Sequence, residues 1–396
     1  MNDLGLHVEG LSVSLDGSNS TVAALTDVSF EVLPGEVVGL VGESGAGKSM
    51  IAHAIANQLP SSANVSGSIR IDGQDLLPPR SKLGDVSKRV RAALCFQNPR
   101  LALSPTRTVG KQIADRLRHH QKSNMMEISE GVLELLGRVG IRDPEGRSKS
   151  FPHELSGGMC QRIMIALALA CESSVLLADE PSTGLDVTLT GEILRLFRGM
   201  ADSDKQAVLI ISHDIAAIGA VCDRLMVLYA GSLVEVGLTN ELLRAPAHPY
   251  TRALIDAVPD VDREAFRSPP LPGRMPQLSA VPVSCPFVPR CLLSDQKCQS
   301  EMPTMTLQSE SWQVRCFHPE KQAPAISNLN LTNASSEMSG NQTSYHVDRN
   351  KPMIRLEGVH VAYRLRSGVS ARTVLKDINL TFNRGDAVGV VGESGS

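Results

Sequence analysis

Two glycine-rich octapeptides and one acidic strand end carry most of the chemistry legible in this sequence. GESGAGKS (residues 42–49) fits G-x-x-x-x-G-K-[ST], follows the apolar run EVVGLV and precedes the helical pattern MIAHAIANQL. In that setting Gly42, Gly45 and Gly47 let the chain turn, so that backbone N–H groups through Glu43, Ser44 and Ala46 face phosphate oxygens. The helix start that follows adds a favourable partial charge for an anion. Lys48 brings a mobile positive charge to a β/γ-phosphate, and the Ser49 hydroxyl can ligate Mg²⁺. VLLADEP (175–181) ends four apolar residues in two carboxylates, at the strand end where α/β sheets place ligands. Asp179 would hold Mg²⁺ through water, and Glu180 would orient or deprotonate an attacking water. Taken alone, the pair also reads as a solvated strand end. In LSGGMCQR (155–162), Ser156, Gly157 and Gly158 open a helical segment and offer a second phosphate-binding surface. One phosphate loop needs no second on the same nucleotide. The pairing makes sense if two copies face each other and each completes the other's site; a capped helix with a glycine turn is the plainer alternative.

The elements that must position these residues follow from periodicity. The pattern is strand-rich to about residue 49 and helical over 109–136. Apolar runs at 175–178, 207–211 and 225–229 then alternate with helical stretches, which predicts a mainly parallel sheet covered by helices. The sequence also repeats itself: TDVSFEVLPGEVVGLVGESG (26–45) returns as KDINLTFNRGDAVGVVGESG (376–395), and LHVEGLSVS returns as IRLEGVHVA. The expected organisation is a first α/β domain over 1–245 and a cysteine-bearing extension over 246–318. A Ser-, Asn-, Thr- and Gln-rich linker over 319–352 and the start of a second copy over 353–396 complete it. The second copy reaches Ser396 before its lysine, so the expectation is that it cannot pair with the first to form complete sites.

Composition narrows the class. Among 396 residues, 42% are hydrophobic and 20% charged, which is ordinary for a globular chain that buries a core. A net charge of -3 and an aromatic content of 3% give no case for nucleic acid as a partner. The N-terminus lacks the basic start and apolar run of a signal peptide, and no apolar stretch approaches the roughly 20 residues that span a bilayer. The expectation is a cytosolic protein, or one held at a membrane through partners. Of eight cysteines, Cys95, Cys160, Cys171 and Cys222 are scattered and read as buried free thiols. Cys285, Cys291, Cys298 and Cys316 cluster as Cys-x5-Cys-x6-Cys-x17-Cys. In a reducing compartment that cluster suggests a metal or iron–sulfur site before disulfides, with zinc and four unligated thiols as the alternatives.

The ordered series of motifs resembles the nucleotide-binding domain of ABC transporters, across nearly the whole chain. GESGAGKS resembles the Walker A loop, LSGGMCQR the ABC signature and VLLADEP Walker B. The resemblance implies that Gln97, in CFQNP, is the Q-loop glutamine that senses Mg²⁺ and contacts the transport machinery. It likewise makes Asp186, in STGLD, the D-loop aspartate and His213, in IISHD, the switch histidine at the γ-phosphate. The implied fold is the α/β P-loop NTPase with a helical subdomain; the implied activity is hydrolysis of ATP with Mg²⁺. The family usually stacks adenine on an aromatic residue where this chain has Leu15 and the second copy has Tyr363. HPYTRAL (248–254) and CPFVPRC (285–291) are similar to the C-terminal extension of oligopeptide, dipeptide and nickel importer ATPases, members of which can carry a 4Fe–4S cluster on these cysteines. The implied partners are two integral-membrane permeases, an external solute-binding protein and a second cassette, with the chain on the cytoplasmic side of the cell membrane. The alternative is a soluble tandem ABC ATPase acting on ribosomes or in another non-transport role. HPYTRAL, the cysteine cluster and a polar, mixed linker favour the importer.

Overall fold

Uninterrupted runs of branched residues make the centre of the first unit. In the computed structural model VVGLV, VLLAD and AVLIIS are strands buried at every position. A strand covered on both faces must be apolar throughout, so these runs form the middle of a parallel sheet. Residues 4–16, 21–76, 92–120, 124–258, 271–276, 278–319, 352–363, 372–386 and 388–392 are described. They fall into two compact units, Met1–Asn328 and Leu329–Ser396.

The strands of the first unit are β1 (Leu6–Asp16), β2 (Thr21–Val32), β3 (Val37–Val41), β4 (Ala63–Ile71), β5 (Gln74–Asp75), β6 (Ala92–Cys95) and β7 (Val175–Asp179). After them come β8 (Ala207–Ser212), β9 (Arg224–Tyr229), β10 (Ser232–Leu238), β11 (Thr306–Leu307) and β12 (Gln313–Val314). The core sheet has the order β11-β12-β10-β9-β3-β8-β7-β6, parallel from β9 to β6 and antiparallel beyond. Its β3 and β7 strands end beside each other's loops, at 42–49 and at Asp179–Glu180, with β8 between them. A smaller antiparallel sheet, β2-β1-β4-β5, covers the helix Lys48–Ile55.

Helices Val109–His120, Met125–Arg138 and Gly157–Leu169 form the helical part. Asn124 and Glu127 make a reciprocal capping box that starts the second of these, so the helical pattern read over 109–136 is broken by a cap. Gly157–Leu169 buries Ile163, Met164, Ile165 and Ala166 in succession, which suits a helix enclosed on all sides.

The extension completes the core sheet. Val314 and Gln313 of β12 pair with Glu235 and Val236 of β10. Buried Glu235 accepts hydrogen bonds from Ala247 N (2.7 Å), His248 N (3.0 Å) and Trp312 Nε1 (2.9 Å), which docks HPYTRAL on the sheet. Burial raises the Glu235 carboxyl. It lowers His248 to about 3, so the neutral ring accepts from Tyr250 N and caps the helix Pro249–Asp256.

In the second unit β13 (Pro352–Tyr363) pairs with β14 (Arg372–Asn383) as β1 pairs with β2. The bulge is reproduced: Gly10 (φ 58°) and Asp27 (φ 50°) correspond to Gly358 (φ 56°) and Asp377 (φ 48°). Gly10 N donates to Ser29 Oγ and Gly358 N to Asn379 Oδ1, both at 2.8 Å. The linker read over 319–352 lies outside the described residues except at its two ends, as does the second GESG at 392–395 beyond its first glycine. Among the described residues no helix is long and apolar enough to cross a membrane.

Candidate functional site

Tight backbone geometry places Lys48. Gly47 has φ 105°, and a Cβ there would stand 2.8 Å from the Ala24 carbonyl oxygen, so only glycine fits before the lysine. Lys48 is 7% exposed, and its ammonium donates to the Gly42 carbonyl (2.8 Å) and the Glu43 carbonyl (3.0 Å). Burial lowers the Lys48 pKa, opposed by the nearby Glu180, Asp179 and Glu43 carboxylates. Ser49 Oγ donates to Asp179 Oδ1 at 3.0 Å, joining the phosphate loop to the end of β7. Burial raises the Asp179 carboxyl, and the Ser49 bond partly offsets that.

Glu180 occupies a left-handed backbone position, φ 51°, which turns the chain at the strand end. Its N–H donates to the Ile211 carbonyl at 2.9 Å. Its carboxylate accepts from His213 Nδ1 (2.5 Å) and Thr183 Oγ1 (3.3 Å). An ionised carboxylate can only accept, so the Nδ1 proton of His213 faces Glu180.

These groups share one cleft of about 930 Å³, large enough for a nucleotide. Ser44, Gly45, Gly47, Lys48, Ser49, Gln97, Glu180 and His213 line it. Gly42, Glu43 and Ala46 complete the loop behind them, and Asp179 is reached through Ser49. Ser156, Gly157, Gly158 and Asp186 do not line this cleft. Ser156 caps its helix by accepting from Met159 N, and Asp186 caps the helix Val187–Asp204 by accepting from Leu189 N. Gly157 faces open space, whereas a Cβ on Gly158 would strike Leu189 at 2.1 Å. Leu15 does not line the cleft either. Its cross-strand partner Val22, which shares its face of the sheet, does. The Tyr363 side chain lies outside the described residues.

A sequence profile described as "ABC transporter" matches residues 25–183, and one described as "Oligopeptide/dipeptide transporter, C-terminal region" matches 234–298. A probable peptide ABC transporter ATP-binding protein of Sinorhizobium fredii is 42% identical over 307 residues, covering 77% of this chain and 92% of that protein. The chain belongs to the ATP-binding proteins of ABC transporters. An oligopeptide transport ATP-binding protein of Mycobacterium tuberculosis is 36% identical over 403 residues, which cover 99% of this chain and 64% of that longer protein. Among solved structures, cbiO1 of Clostridium perfringens, part of an ABC transporter complex, has a TM-score of 0.53 at 29% identity, covering 61% of this chain and 91% of its own. The fold is thus the ABC ATPase fold and the activity is ATP hydrolysis.

The extension of this ABC protein touches the phosphate loop directly, which sequence reasoning missed. Arg290, buried to 6% exposure, donates from Nη1 and Nη2 to the two carboxylate oxygens of Glu43 at 2.8 and 2.9 Å. Its Nε donates to the Pro272 carbonyl at 2.7 Å, and Glu43 N donates to Tyr250 Oη at 2.8 Å. The only available signal was position: Arg290 lies inside CPFVPRC and Tyr250 inside HPYTRAL.

Cys285, Cys291, Cys298 and Cys316 line one enclosed cavity of about 20 Å³, beside His248, Phe287 and His318. Burial raises all four thiols, Cys316 to about 11. Among the described residues, the group of metal-ligating atoms lying within 4.8 Å of one another is Asp295, Cys298 and His318. Cys95, Cys160, Cys171 and Cys222 are buried and free.

Proposed function

We propose that this chain binds MgATP in the cleft at residues 42–49 and hydrolyses it to energise import of peptides or similar small solutes. The observation that carries the reading is the convergence of Lys48, the Ser49–Asp179 bond and the Glu180–His213 pair in one cleft. The donors around Ser49, Asp179 and Gln97 are all oxygens, which fits the hard Mg²⁺ ion. When bound there, Mg²⁺ supplies neutralisation of β- and γ-phosphate charge. Lys48 exchanges its carbonyl partners for phosphate oxygens, and the loop N–H groups cradle the remaining charge. Glu180 orients the attacking water and takes its proton, while His213 holds the carboxylate in place. Ser156, Gly157, Gly158 and Asp186 act on the cleft of another cassette, in a second molecule of this chain or in a separate partner.

The same reading gives the chain two integral-membrane permeases, a periplasmic or extracellular solute-binding protein, and a place on the cytoplasmic side of the cell membrane. Two relatives named for peptide transport support it, as does the extension profile. In this reading 1–245 is the ATP-binding domain, 246–318 its extension, 319–352 a linker and 353–396 the start of a second cassette.

Lys48→Ala removes charge-assisted bonds of about 1.5–3 kcal/mol, so MgATP affinity should fall about tenfold to hundredfold. Equilibrium titration measures it, and unchanged affinity would refute the cleft assignment.

We further propose that the cysteine cavity holds a 4Fe–4S cluster. Zinc sets its sulfurs about 3.8 Å apart, from a Zn–S distance of about 2.3 Å in a tetrahedron. No three of the four sulfurs lie within 4.8 Å of one another, so they are not set for one zinc ion; what supports the cluster is that all four thiols line one enclosed cavity and thiolates are its usual ligands. Held there by Cys285, Cys291, Cys298 and Cys316, such a group would fix the extension. Protein purified without oxygen should be brown and contain iron and acid-labile sulfide, both lost in Cys291→Ser. Colourless protein with stoichiometric zinc, or with no metal, would overturn this.

A further inference from the structure

The C-terminal extension walls one end of the nucleotide cleft. Val22, Ala23 and Ala24 line it from β2, and Arg274, Met275, Pro276 and Leu278 line it from the extension. Lys48, Ser49, Glu180 and His213 claim the phosphates, which leaves for the nucleoside the surface made by Val22, Ala23 and Ala24 with Arg274, Met275, Pro276 and Leu278. This strap is pinned on both sides. Ala23 N donates to the Leu278 carbonyl at 2.9 Å, and Arg290 Nε donates to the Pro272 carbonyl at 2.7 Å. The same Arg290 grips Glu43 of the phosphate loop, so strap and loop share one anchor.

No Phe, Tyr or Trp is among the described residues lining the cleft. Leu15 is not part of that lining and Val22 is aliphatic, so the described residues offer no aromatic platform for a base. Met275 is half-buried and packs against both hydrophobic clusters of the unit, which fixes the strap beneath it. Arg274 is exposed on the cleft and has no ion-pair partner among the described residues. A guanidinium is planar and weakly hydrated, and it stacks on aromatic faces in a way an ammonium does not.

We infer that Arg274, supported by Met275 and Pro276, recognises the nucleoside by stacking its guanidinium on the purine in place of an aromatic ring. The extension then supplies part of the ATP site, and base selectivity in the first cassette depends on it. This rests on the assignment of MgATP to this cleft.

The test titrates the full chain with ATP and with inorganic tripolyphosphate, which lacks the nucleoside. Arg274→Ala should weaken ATP binding about tenfold, the scale of a desolvated cation–π contact, and change tripolyphosphate binding less than about twofold. Arg274→Lys should behave as Arg274→Ala, because it keeps the charge and loses the plane. Equal weakening for both ligands, unchanged ATP affinity, or full recovery with lysine would each overturn the inference. Lys48→Ala separates the two readings: it should weaken both ligands. If it weakens neither, the cleft assignment fails; if it weakens both while Arg274→Ala is silent, only the nucleoside wall fails.

Discussion

Glu180→Gln is expected to lower ATP turnover by about 10²–10⁴-fold, the usual range for losing a general base, while MgATP affinity changes little. Glutamine has nearly the same shape and still offers an oxygen to His213 Nδ1, now 2.5 Å from the carboxylate, and to Thr183 Oγ1. It cannot accept a proton from water. The left-handed turn at φ 51° costs about 1–2 kcal/mol for either side chain, so it cancels in the comparison. Phosphate binding depends on Lys48 and the loop, neither of which bonds the Glu180 side chain. Phosphate release and equilibrium binding of ATP, measured on the same preparation, separate the two effects. Undiminished turnover would remove Glu180 from the mechanism, and a parallel loss of affinity would make it a binding group.

The central sheet was legible because its strands are buried on both faces and therefore apolar at every position. The repeat was legible for a different reason: Gly10 and Gly358, like Asp27 and Asp377, hold the same unusual backbone angles, and that requirement keeps residue types recognisable. The phosphate loop, the acidic strand end and His213 could be read from their places after strands. The strap could not. Its anchor joins Arg290 to Glu43 across 247 residues, and no periodicity reports so distant a bond. Two-residue strands such as β11 and β12 are likewise too short to show alternation, so their pairing with the core sheet was invisible. Leu15 illustrates a finer limit. The resemblance put Leu15 at the base position, but its partner Val22, on the same face of the sheet, is the one that lines the cleft, and such lateral placement is not written in the alternation of one strand. For the cysteines, spacing announced a cluster, while their convergence on one cavity is a property of the folded extension.

Breaking the Arg290–Glu43 pair should be costly, and unequally so from its two sides. The Arg290 side chain is 4% exposed and that of Glu43 is 29% exposed. Removing one partner of a buried pair costs about 3–5 kcal/mol, because a desolvated charge is left behind. Arg290→Met leaves that charge on Glu43, which water can reach in part, so the loss should sit near 3 kcal/mol. Glu43→Met leaves it on the enclosed guanidinium, whose remaining bonds go to the neutral Pro272 carbonyl and the Tyr229 hydroxyl, and the loss should be nearer 5 kcal/mol. The double variant carries no unpaired charge and two apolar side chains of adequate volume. It should therefore recover most of the stability, as replaced buried ion pairs commonly do. Urea unfolding followed by tryptophan fluorescence is suited to the test, since the single Trp312 reports on the unit that holds both residues. Losses of equal size from the two sides, or a double variant whose loss is the sum of the single ones, would show that the pair does not act as a buried charge couple. ATP affinity should follow a different order. Arg290→Met frees the strap at Pro272 as well as the loop at Glu43, so it should weaken ATP more than Glu43→Met does, despite costing less stability. That inversion distinguishes a residue that shapes the nucleotide cleft from one that only holds the fold together.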